Sequence, residues 1–310
     1  LDVTTSASDN VAIGCGAMVA TTTGCRNIAV GSGTMDTNTT GDKNVAIGHT
    51  TLFAATTADC NTGVGYGTLS ANTTGAENTA IGGGALTANT EGCRNSAVGV
   101  NAMVTNTTGF ENSALGRQSL HSNTTGDCNV ALGYNSLFNN TTANNNTSVG
   151  TSALFANTTG ADNATLGAES LKANTTGDNN SAFGYRALCA NTTASNNTAV
   201  GKNSLCANTT GCRNVAVGSG AGDANTTGDC NVAIGFGSLS TATTADHNTM
   251  VGAGAGNSIT TGANNTAVGR CSMQENTTGT NNVAIGIQAL EDNTTGSENT
   301  AVGAESLKAN

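Results

Sequence analysis

The sequence predicts an all-β fold, a parallel β-solenoid or β-roll of eighteen 17-residue coils. Three observations predict it. Asn recurs every 17 residues from Asn10 to Asn299, Gly follows each of these Asn four residues later, and an apolar residue precedes each of these Gly. Because no insertion or deletion interrupts the series, each unit is expected to form one coil that stacks on the next.

Each unit divides into a strand half and a turn half. The segment Asn44–Gly48, with sequence NVAIG, has the composition of a short strand. The segment Asn72–Gly75, with sequence NTTG, is typical of a turn, because Gly adopts positive φ freely and Asn tolerates it. A helical repeat is excluded, since Asn, Thr and Gly are poor helix formers.

Composition agrees with a solenoid and argues against two globular domains. The chain has 310 residues with 42 Gly, no Pro, no Trp and 3% aromatic residues, which is too few large side chains for globular cores. Disorder is opposed by the low charge of 10% and by the strict apolar period. Residues 1–9 are therefore expected to form an N-terminal cap or junction, and residues 10–310 a single continuous solenoid.

Charge and motifs exclude several functions. The net charge of -10, with ten scattered Lys and Arg, disfavours nucleic-acid binding, and no apolar run is long enough for a membrane span. The three histidines lie on different coils at different phases, so no metal site, cofactor or catalytic group is expected. One acidic column could bind calcium, although a solvated face is the favoured interpretation. It consists of Asp42, Asp59, Asp127, Asp178, Asp229 and Asp246.

The Asn that opens each unit is predicted to be structural. In a stack of coils the same residue lies directly above itself, and side-chain amides can hydrogen-bond along the axis as an Asn ladder. The ladder is expected to include Asn10, Asn27, Asn44, Asn61, Asn78 and Asn95.

The two faces of the strand predict association between chains. Val45 and Ile47 share one face and Ala46 lies on the other, and neither face is charged in any unit. A strand without charge on either face is often covered on both. One face is therefore expected to fill the coil interior and the other to pack on a neighbouring chain. The alternative is a single-chain solenoid with a weakly polar second face, since residues such as Thr79 replace Val.

The strand half resembles a known family. The pattern N-[VST]-A-[IVL]-G-x-x-[AS]-L, as in Asn44–Leu52 and Asn129–Leu137, resembles the head repeats of YadA-like trimeric autotransporter adhesins. With the NTTG turn, it is also similar to the NTTGxxNTAxG repeats of bacterial and viral tail-fibre-like proteins. The resemblance covers residues 10–310 and implies a left-handed parallel β-roll, assembly as a homotrimer, and binding to host surfaces or matrix. The longer unit, the added turn and the ten cysteines depart from the adhesin pattern.

The cysteines are even in number and lie at turns, which favours an oxidising, extracellular setting; free thiols in a cytosolic protein are the alternative. Cys189 and Cys206 are 17 residues apart, and Cys212 and Cys230 are 18 apart, so each pair lies on adjacent coils within disulfide range. Two further pairs are 35 residues apart, about 10 Å along the stack, and could bridge only between chains or stay reduced. They are Cys25 with Cys60 and Cys93 with Cys128.

Most of the turns also contain an Asn-x-Thr sequon, which is a glycan acceptor in a secreted eukaryotic or viral protein. The alternative is that NTTG is simply a good turn. The candidate acceptors are Asn38, Asn72, Asn106, Asn123, Asn140, Asn157, Asn174, Asn191, Asn208, Asn225, Asn276 and Asn293.

These features predict a structural subunit of an extracellular fibre or filament, located outside the cell or on a cell or virion surface. Its expected partner is itself, through solenoid packing and head-to-tail contacts in which Thr4–Ser6 of one subunit completes the unit that stops at Ala309–Asn310 of another. The alternatives are an adhesin or a viral or phage tail-fibre shaft that binds surface glycans or a host receptor, and an ice-binding solenoid that uses Thr39–Thr40 and its copies. A polysaccharide-cleaving enzyme is disfavoured, because no coil carries a cluster of carboxylates.

Overall fold

A computed structural model of the chain describes residues 5–309. Residues 1–4 of the predicted N-terminal segment, and Asn310 of the predicted head-to-tail junction, lie outside this range. Contacts divide the chain into two compact units, one ending at Thr159 and the other starting at Gly160. That residues 10–310 form one continuous solenoid stays a prediction.

The first unit consists of nine three-residue strands that pair in parallel in sequence order. Each strand is offset from its neighbour by 17 residues, as in the register Val11↔Ile28 and Ala12↔Ala29. The strands are β1 (Val11–Ile13), β2 (Ile28–Val30), β3 (Val45–Ile47), β4 (Thr62–Val64), β5 (Thr79–Ile81), β6 (Ser96–Val98), β7 (Ser113–Leu115), β8 (Val130–Leu132) and β9 (Thr147–Val149).

The second unit repeats the arrangement with nine more parallel strands at the same offset, as in Val215↔Val232. These are β10 (Ala164–Leu166), β11 (Ser181–Phe183), β12 (Thr198–Val200), β13 (Val215–Val217), β14 (Val232–Ile234), β15 (Thr249–Val251), β16 (Thr266–Val268), β17 (Val283–Ile285) and β18 (Thr300–Val302). Each unit is therefore a β-solenoid, which confirms the predicted fold class.

Hydrogen bonds between coils continue around the whole coil, well beyond the short strands. The Leu52 amide donates to the Thr68 carbonyl at 3.0 Å, and the Ala54 amide donates to the Ser70 carbonyl at 3.0 Å. On the turn, the Thr39 amide donates to the Thr56 carbonyl at 2.9 Å. Because the turns pair as regularly as the strands, an insertion anywhere in a coil would disturb the contacts on both sides of it.

The interior of each coil is small. Ala46 from the strand and Leu52 from the turn are fully buried, and Thr51 fills the space beside them. Burial of one such Leu contributes about 1.5–3 kcal/mol. This Leu adopts φ 51°, a left-handed conformation that is costly for a residue with a Cβ. Packing therefore holds the turn in a conformation that its sequence alone would not favour.

The coil that contains β15 fills its interior with different residues. Gly256 replaces the usual Leu, and a Cβ at this position would lie 2.6 Å from Met250 Sδ and 2.9 Å from Ile259 Cδ1. Met250 and Ile259, both fully buried, stand where other coils carry Ala and Asn. The three substitutions compensate one another, since two larger side chains occupy the volume of the missing Leu.

We predict that Met250→Ala destabilises the second unit by about 2–4 kcal/mol, because it leaves a cavity beside Gly256. Adding Gly256→Leu and Ile259→Asn to Met250→Ala recreates the residues of the usual coil, and this triple variant should recover most of the lost stability. Urea denaturation monitored by circular dichroism measures both effects. An unchanged unfolding midpoint for Met250→Ala would contradict the packing described for this coil.

No helix occurs among residues 5–309, so this part of the chain holds no helix long and apolar enough to cross a membrane.

Candidate functional site

The main candidate site is an exposed apolar face, which we call the outer face: the first and third residues of every strand. Ile47 is 40% exposed, Leu115 is 50% exposed and Leu166 is 53% exposed, although residues of this size are normally buried. The middle residue of each strand, such as Ala46, points inward. The Leu of the turn already fills the interior, and the branched strand residues are left outside.

The outer face carries no charged side chain. Its positions hold Val, Ile, Leu, Phe, Thr, Ser or Ala in every unit. In the first unit a shallow groove of about 300 Å³ crosses strands β6 to β8. The small residues Ser96 and Ser113 line it together with Val98, Leu115 and Leu132. The groove gives this part of the face a shape into which a neighbouring apolar side chain can fit.

Behind the outer face, the opening Asn of each unit forms a ladder. Asn27 Oδ1 accepts the Asn44 amide at 2.9 Å and the Asn44 side-chain amide at 3.2 Å. Asn27 Nδ2 donates to the Gly41 carbonyl at 2.8 Å. In the predicted set Asn10 is half-buried, and Asn27, Asn44, Asn61, Asn78 and Asn95 are fully buried. The amides thus tie each strand to its neighbour and to the turn of its own coil.

The sequon Asn of the turn forms a second ladder inside the coil. Asn89 Nδ2 donates to Asn72 Oδ1 at 2.8 Å and to the Gly92 carbonyl at 2.9 Å. All twelve candidate acceptors have side chains that are at most 2% exposed. A glycan on Nδ2 would replace these hydrogen bonds and would have to lie in the interior, so the fold disfavours glycosylation at the predicted positions. They are Asn38, Asn72, Asn106, Asn123, Asn140, Asn157, Asn174, Asn191, Asn208, Asn225, Asn276 and Asn293.

The acidic column has a structural role. Asp42 Oδ1 accepts the Cys25 amide of the preceding coil at 2.7 Å, and Asp59 Oδ1 accepts the Asp42 amide at 2.7 Å. The other four Asp of the column accept the corresponding amide in the same way. No group of three or more His, Cys, Asp or Glu side chains in residues 5–309 could hold a metal ion.

The structure brings the first predicted cysteine pair together. The Sγ atoms of Cys189 and Cys206 lie 2.8 Å apart. A hydrogen bond from Cys206, helped by Arg186, lowers the pKa of Cys189 to about 6. The same contact and burial raise the pKa of Cys206. The two sulfur atoms therefore face each other across adjacent coils.

The prediction for Cys212 and Cys230 needs correction, because their side chains are not in contact. The Cys230 amide donates to the Cys212 carbonyl at 3.0 Å, but Cys212 Sγ contacts the Thr210 carbonyl at 3.4 Å and the Ser195 amide at 3.5 Å. The Cys212 side chain points toward the preceding coil and takes the place of the usual Asp acceptor. Cys230 itself adopts a left-handed backbone conformation, with φ 58°.

The wider pairs are separated by an intervening coil, as their spacing predicted. The Lys43 amide donates to the Cys25 carbonyl, and the Cys60 amide donates to the Asp42 carbonyl, so residues 42 and 43 lie between the two cysteines. Glu111 lies between the other pair: its amide donates to the Cys93 carbonyl, and its carboxylate contacts Cys128 Sγ at 3.6 Å. Bridges between chains stay a prediction for both pairs.

Aromatic side chains stack along the first unit. His121 lies over Phe138 with ring centres 4.6 Å apart, and Phe138 lies over Phe155 at 5.2 Å. Burial lowers the pKa of His121. Because stacking covers ring faces, these residues offer mainly ring edges to solvent, which suits packing better than the stacking of sugars on an open ring.

The comparisons with known proteins leave the family open: no protein-family model, curated protein or solved structure matches the chain. The likeness to adhesin and tail-fibre repeats therefore stays a resemblance.

Two features of these surfaces were missed by sequence reasoning. The second Asn ladder recurs with almost the same regularity as the first, and this regularity was an available signal. The orientation of the strand had no such signal, since both of its faces are uncharged.

Proposed function

We propose that the chain is a structural subunit of an extracellular fibre or filament, built by packing solenoids side by side and by stacking coils head to tail. The observation that carries the proposal is the outer face. Nine strands about 4.8 Å apart and about 10 Å long give roughly 400 Å² of it in each unit. The largest apolar patch on a typical monomeric protein is of about this size and is often a functional surface.

The proposed occupant of the outer face is a second copy of this chain. Each strand contributes a low ridge of branched side chains, and the ridges repeat at the strand spacing of about 4.8 Å. Another copy carries the same spacing, so the ridges of one chain can settle between those of the other along the length of a unit. Two uncharged faces also meet without burying an unpaired charge.

The thin interior supports lateral packing as well. Most coils bury one large side chain, such as Leu52 or Leu69, and each repeat contacts mainly its neighbours. Covering the outer face would add buried apolar area to every coil at once.

Head-to-tail stacking is supported by the uniformity of the coils. The bonds from one coil to the next repeat through each unit, as in the Asn ladder and the turn contacts of Thr39 and Thr73. A coil of another copy could stack by the same bonds. The extracellular placement is supported by the number and arrangement of the cysteines.

Variants of the outer face test the proposal. We predict that the double variant Leu115→Lys/Leu132→Lys abolishes side-by-side assembly, because it places charges in an apolar contact. Val100→Lys is the matched control, since Val100 is 50% exposed but lies outside the strands. Sedimentation velocity and electron microscopy of non-reduced protein measure assembly.

The proposal expects side-by-side assemblies for the unchanged chain and for Val100→Lys, and only single chains or single-file head-to-tail strings for the double variant. Side-by-side assembly that survives the double variant would refute packing through the outer face. An unchanged chain that stays single at all concentrations would refute the fibre subunit itself.

An adhesin or tail-fibre shaft is the second candidate, and exposed aromatic residues favour it. Tyr66 is 70% exposed in the first unit and Phe236 is 73% exposed in the second. Short rods that bind immobilised glycans or cells, and lose binding in Tyr66→Ser, would favour this function over a continuous filament.

An ice-binding solenoid has weaker support. Thr40 is exposed, but Thr39 is half-buried and its hydroxyl donates to the Thr56 carbonyl at 3.0 Å. The hydroxyl groups of this Thr column therefore already donate hydrogen bonds within the solenoid. An absence of thermal hysteresis would remove this candidate.

A further inference from the structure

Among the ten cysteines, Cys189 and Cys206 differ from the others in their surroundings. Their Sγ atoms are in contact at 2.8 Å, they lie at equivalent positions of adjacent coils, and both side chains are partly exposed. No other pair of thiols in residues 5–309 is in contact. A stacked pair has its Cα atoms about 4.8 Å apart, within the range that a disulfide spans.

Charged residues surround the pair asymmetrically. Arg186 lowers the pKa of Cys189, and Arg186 Nε lies 3.9 Å from a carboxylate oxygen of Glu169. Glu169 is also held by Lys172 Nζ at 3.1 Å. The carboxylate thus orients Arg186 beside the Cys189 sulfur.

A carboxylate acts on each cysteine, since Glu169 raises the pKa of Cys189 and Asp223 adds to the effects of Cys189 and burial that raise the pKa of Cys206. Asp223, whose own pKa is raised by burial, acts on Cys206 and disfavours its thiolate. Arg186 lowers the pKa of both cysteines, and its effect on Cys189 is the larger. The two sulfur atoms therefore have different surroundings, and Cys189 Sγ also lies 3.4 Å from the Cys206 carbonyl oxygen.

We infer that Cys189 and Cys206 form a thiol–disulfide exchange site for small disulfides, in which Cys189 attacks and Cys206 resolves. This inference does not rest on the proposed function. The substrate class is a low-molecular-weight disulfide, RSSR. Arg186 is a positioning residue that holds the attacking sulfur as a thiolate.

The reaction has two balanced steps. The Cys189 thiolate attacks one sulfur of RSSR, a protein–S–SR bond forms, and RS⁻ leaves with the bonding electrons. Cys206 then loses its proton to solvent or to RS⁻ and attacks Cys189 Sγ, expelling the second RS⁻. Overall the two protein thiols lose two electrons and two protons, and RSSR gains them as two RSH.

Labelling at pH 6 tests the attacking role. A thiolate of pKa about 6 is about half ionised there, whereas an ordinary cysteine is ionised to about 0.3%. A thiolate of lower pKa is also a weaker nucleophile, which reduces its rate constant about tenfold. The net labelling rate of Cys189 is then about tenfold higher than that of an ordinary cysteine. Iodoacetamide should therefore label Cys189 about tenfold faster than Cys230 at pH 6, and the advantage should shrink as pH rises and the other thiols ionise.

The sequence allows a clean readout. Trypsin places Cys189 alone in peptide 187–202 and Cys230 alone in peptide 214–270. Cys206 shares peptide 203–213 with Cys212, so tandem mass spectrometry assigns the labelled sulfur in that peptide. Mass spectrometry of these peptides gives the rates. Arg186→Gln should slow the labelling of Cys189 several-fold, and Arg117→Gln, the same change elsewhere, should not. Because Arg186→Gln removes a trypsin site, Cys189 is then measured in peptide 173–202, where it is again the one cysteine. Gln occupies the equivalent place in the coils of Gln118 and Gln288, so Arg186→Gln should fold.

Oxidised glutathione tests the exchange. The unchanged chain should yield peptides 187–202 and 203–213 joined by a disulfide that tandem mass spectrometry places on Cys206 rather than Cys212, while Cys206→Ser should retain glutathione on peptide 187–202. Ser stands at this place in the coils of Ser70 and Ser240, so the variant suits the fold. The inference is overturned if Cys189 labels no faster than Cys230, if Cys206 reacts first, or if Cys206→Ser retains no glutathione.

Discussion

Replacing Gly116 with Ala is expected to destabilise the first unit by about 3–5 kcal/mol. Gly116 follows β7 with φ +138°, a conformation that residues with a Cβ rarely adopt. An added Cβ would lie 2.5 Å from the Gly133 carbonyl oxygen and 2.7 Å from its carbon. Since both contacts are to backbone of the next coil, the coils would have to separate.

Gly83→Ala is the matched control for Gly116→Ala. No atom lies within 4 Å of a Cβ built on Gly83, and Ala168 occupies the equivalent place in another coil. Hydrogen exchange of the β7 and β8 amides is the most direct measurement, because a repeat protein can open locally. Equal protection in the two variants would show that the close approach of the coils does not explain the Gly column.

The 17-residue period was sufficient to predict the coil, the strand and the Asn ladder behind it. It was not sufficient to predict which strand face is inside. Large apolar residues such as Ile47 are normally buried, yet Leu52 from the turn fills the interior and leaves room only for Ala46. The competition between a strand residue and a turn residue for the same volume depends on how the coil bends, which periodicity does not specify.

The turn shows a second limit of sequence reasoning. Asn72 lies in an NTTG segment whose composition is typical of an exposed turn and whose sequence matches a glycan sequon. In the fold its side chain points inward, accepts a hydrogen bond from Asn89 and donates to the Gly75 carbonyl at 2.9 Å. Local composition gave the turn correctly, but the direction of its side chain depends on stacking between coils.

The substitution Asn197→Asp is expected to destabilise the second unit by about 3–5 kcal/mol at pH 7. Asn197 is fully buried; its Nδ2 donates to the Gly211 carbonyl at 2.9 Å, and its Oδ1 accepts the Asn214 amide at 2.9 Å. A carboxylate keeps the accepted bond but places a second oxygen against the Gly211 carbonyl. It also buries a negative charge with no cation beside it.

The pH dependence separates this mechanism from a simple packing defect. The desolvated carboxyl should have its pKa raised in the folded chain, so the folded state binds a proton more readily than the unfolded state. The destabilisation should therefore be largest above the folded pKa and should fade as pH falls through it, since the protonated group can donate to Gly211.

Asn196→Asp is the control for Asn197→Asp, because it makes the same change at the preceding residue. Asn196 is exposed, and Asp162 occupies the equivalent place in another coil, so an effect within about 0.5 kcal/mol is expected. Both variants are made in a bacterial host, which leaves the Asn196-Asn197-Thr198 sequon unmodified. Urea denaturation at pH 7 and at pH 4.5 gives the comparison. Equal stability of the two variants at pH 7 would mean that the buried amide ladder contributes little to holding the coils together, and the repeated Asn would then need another explanation.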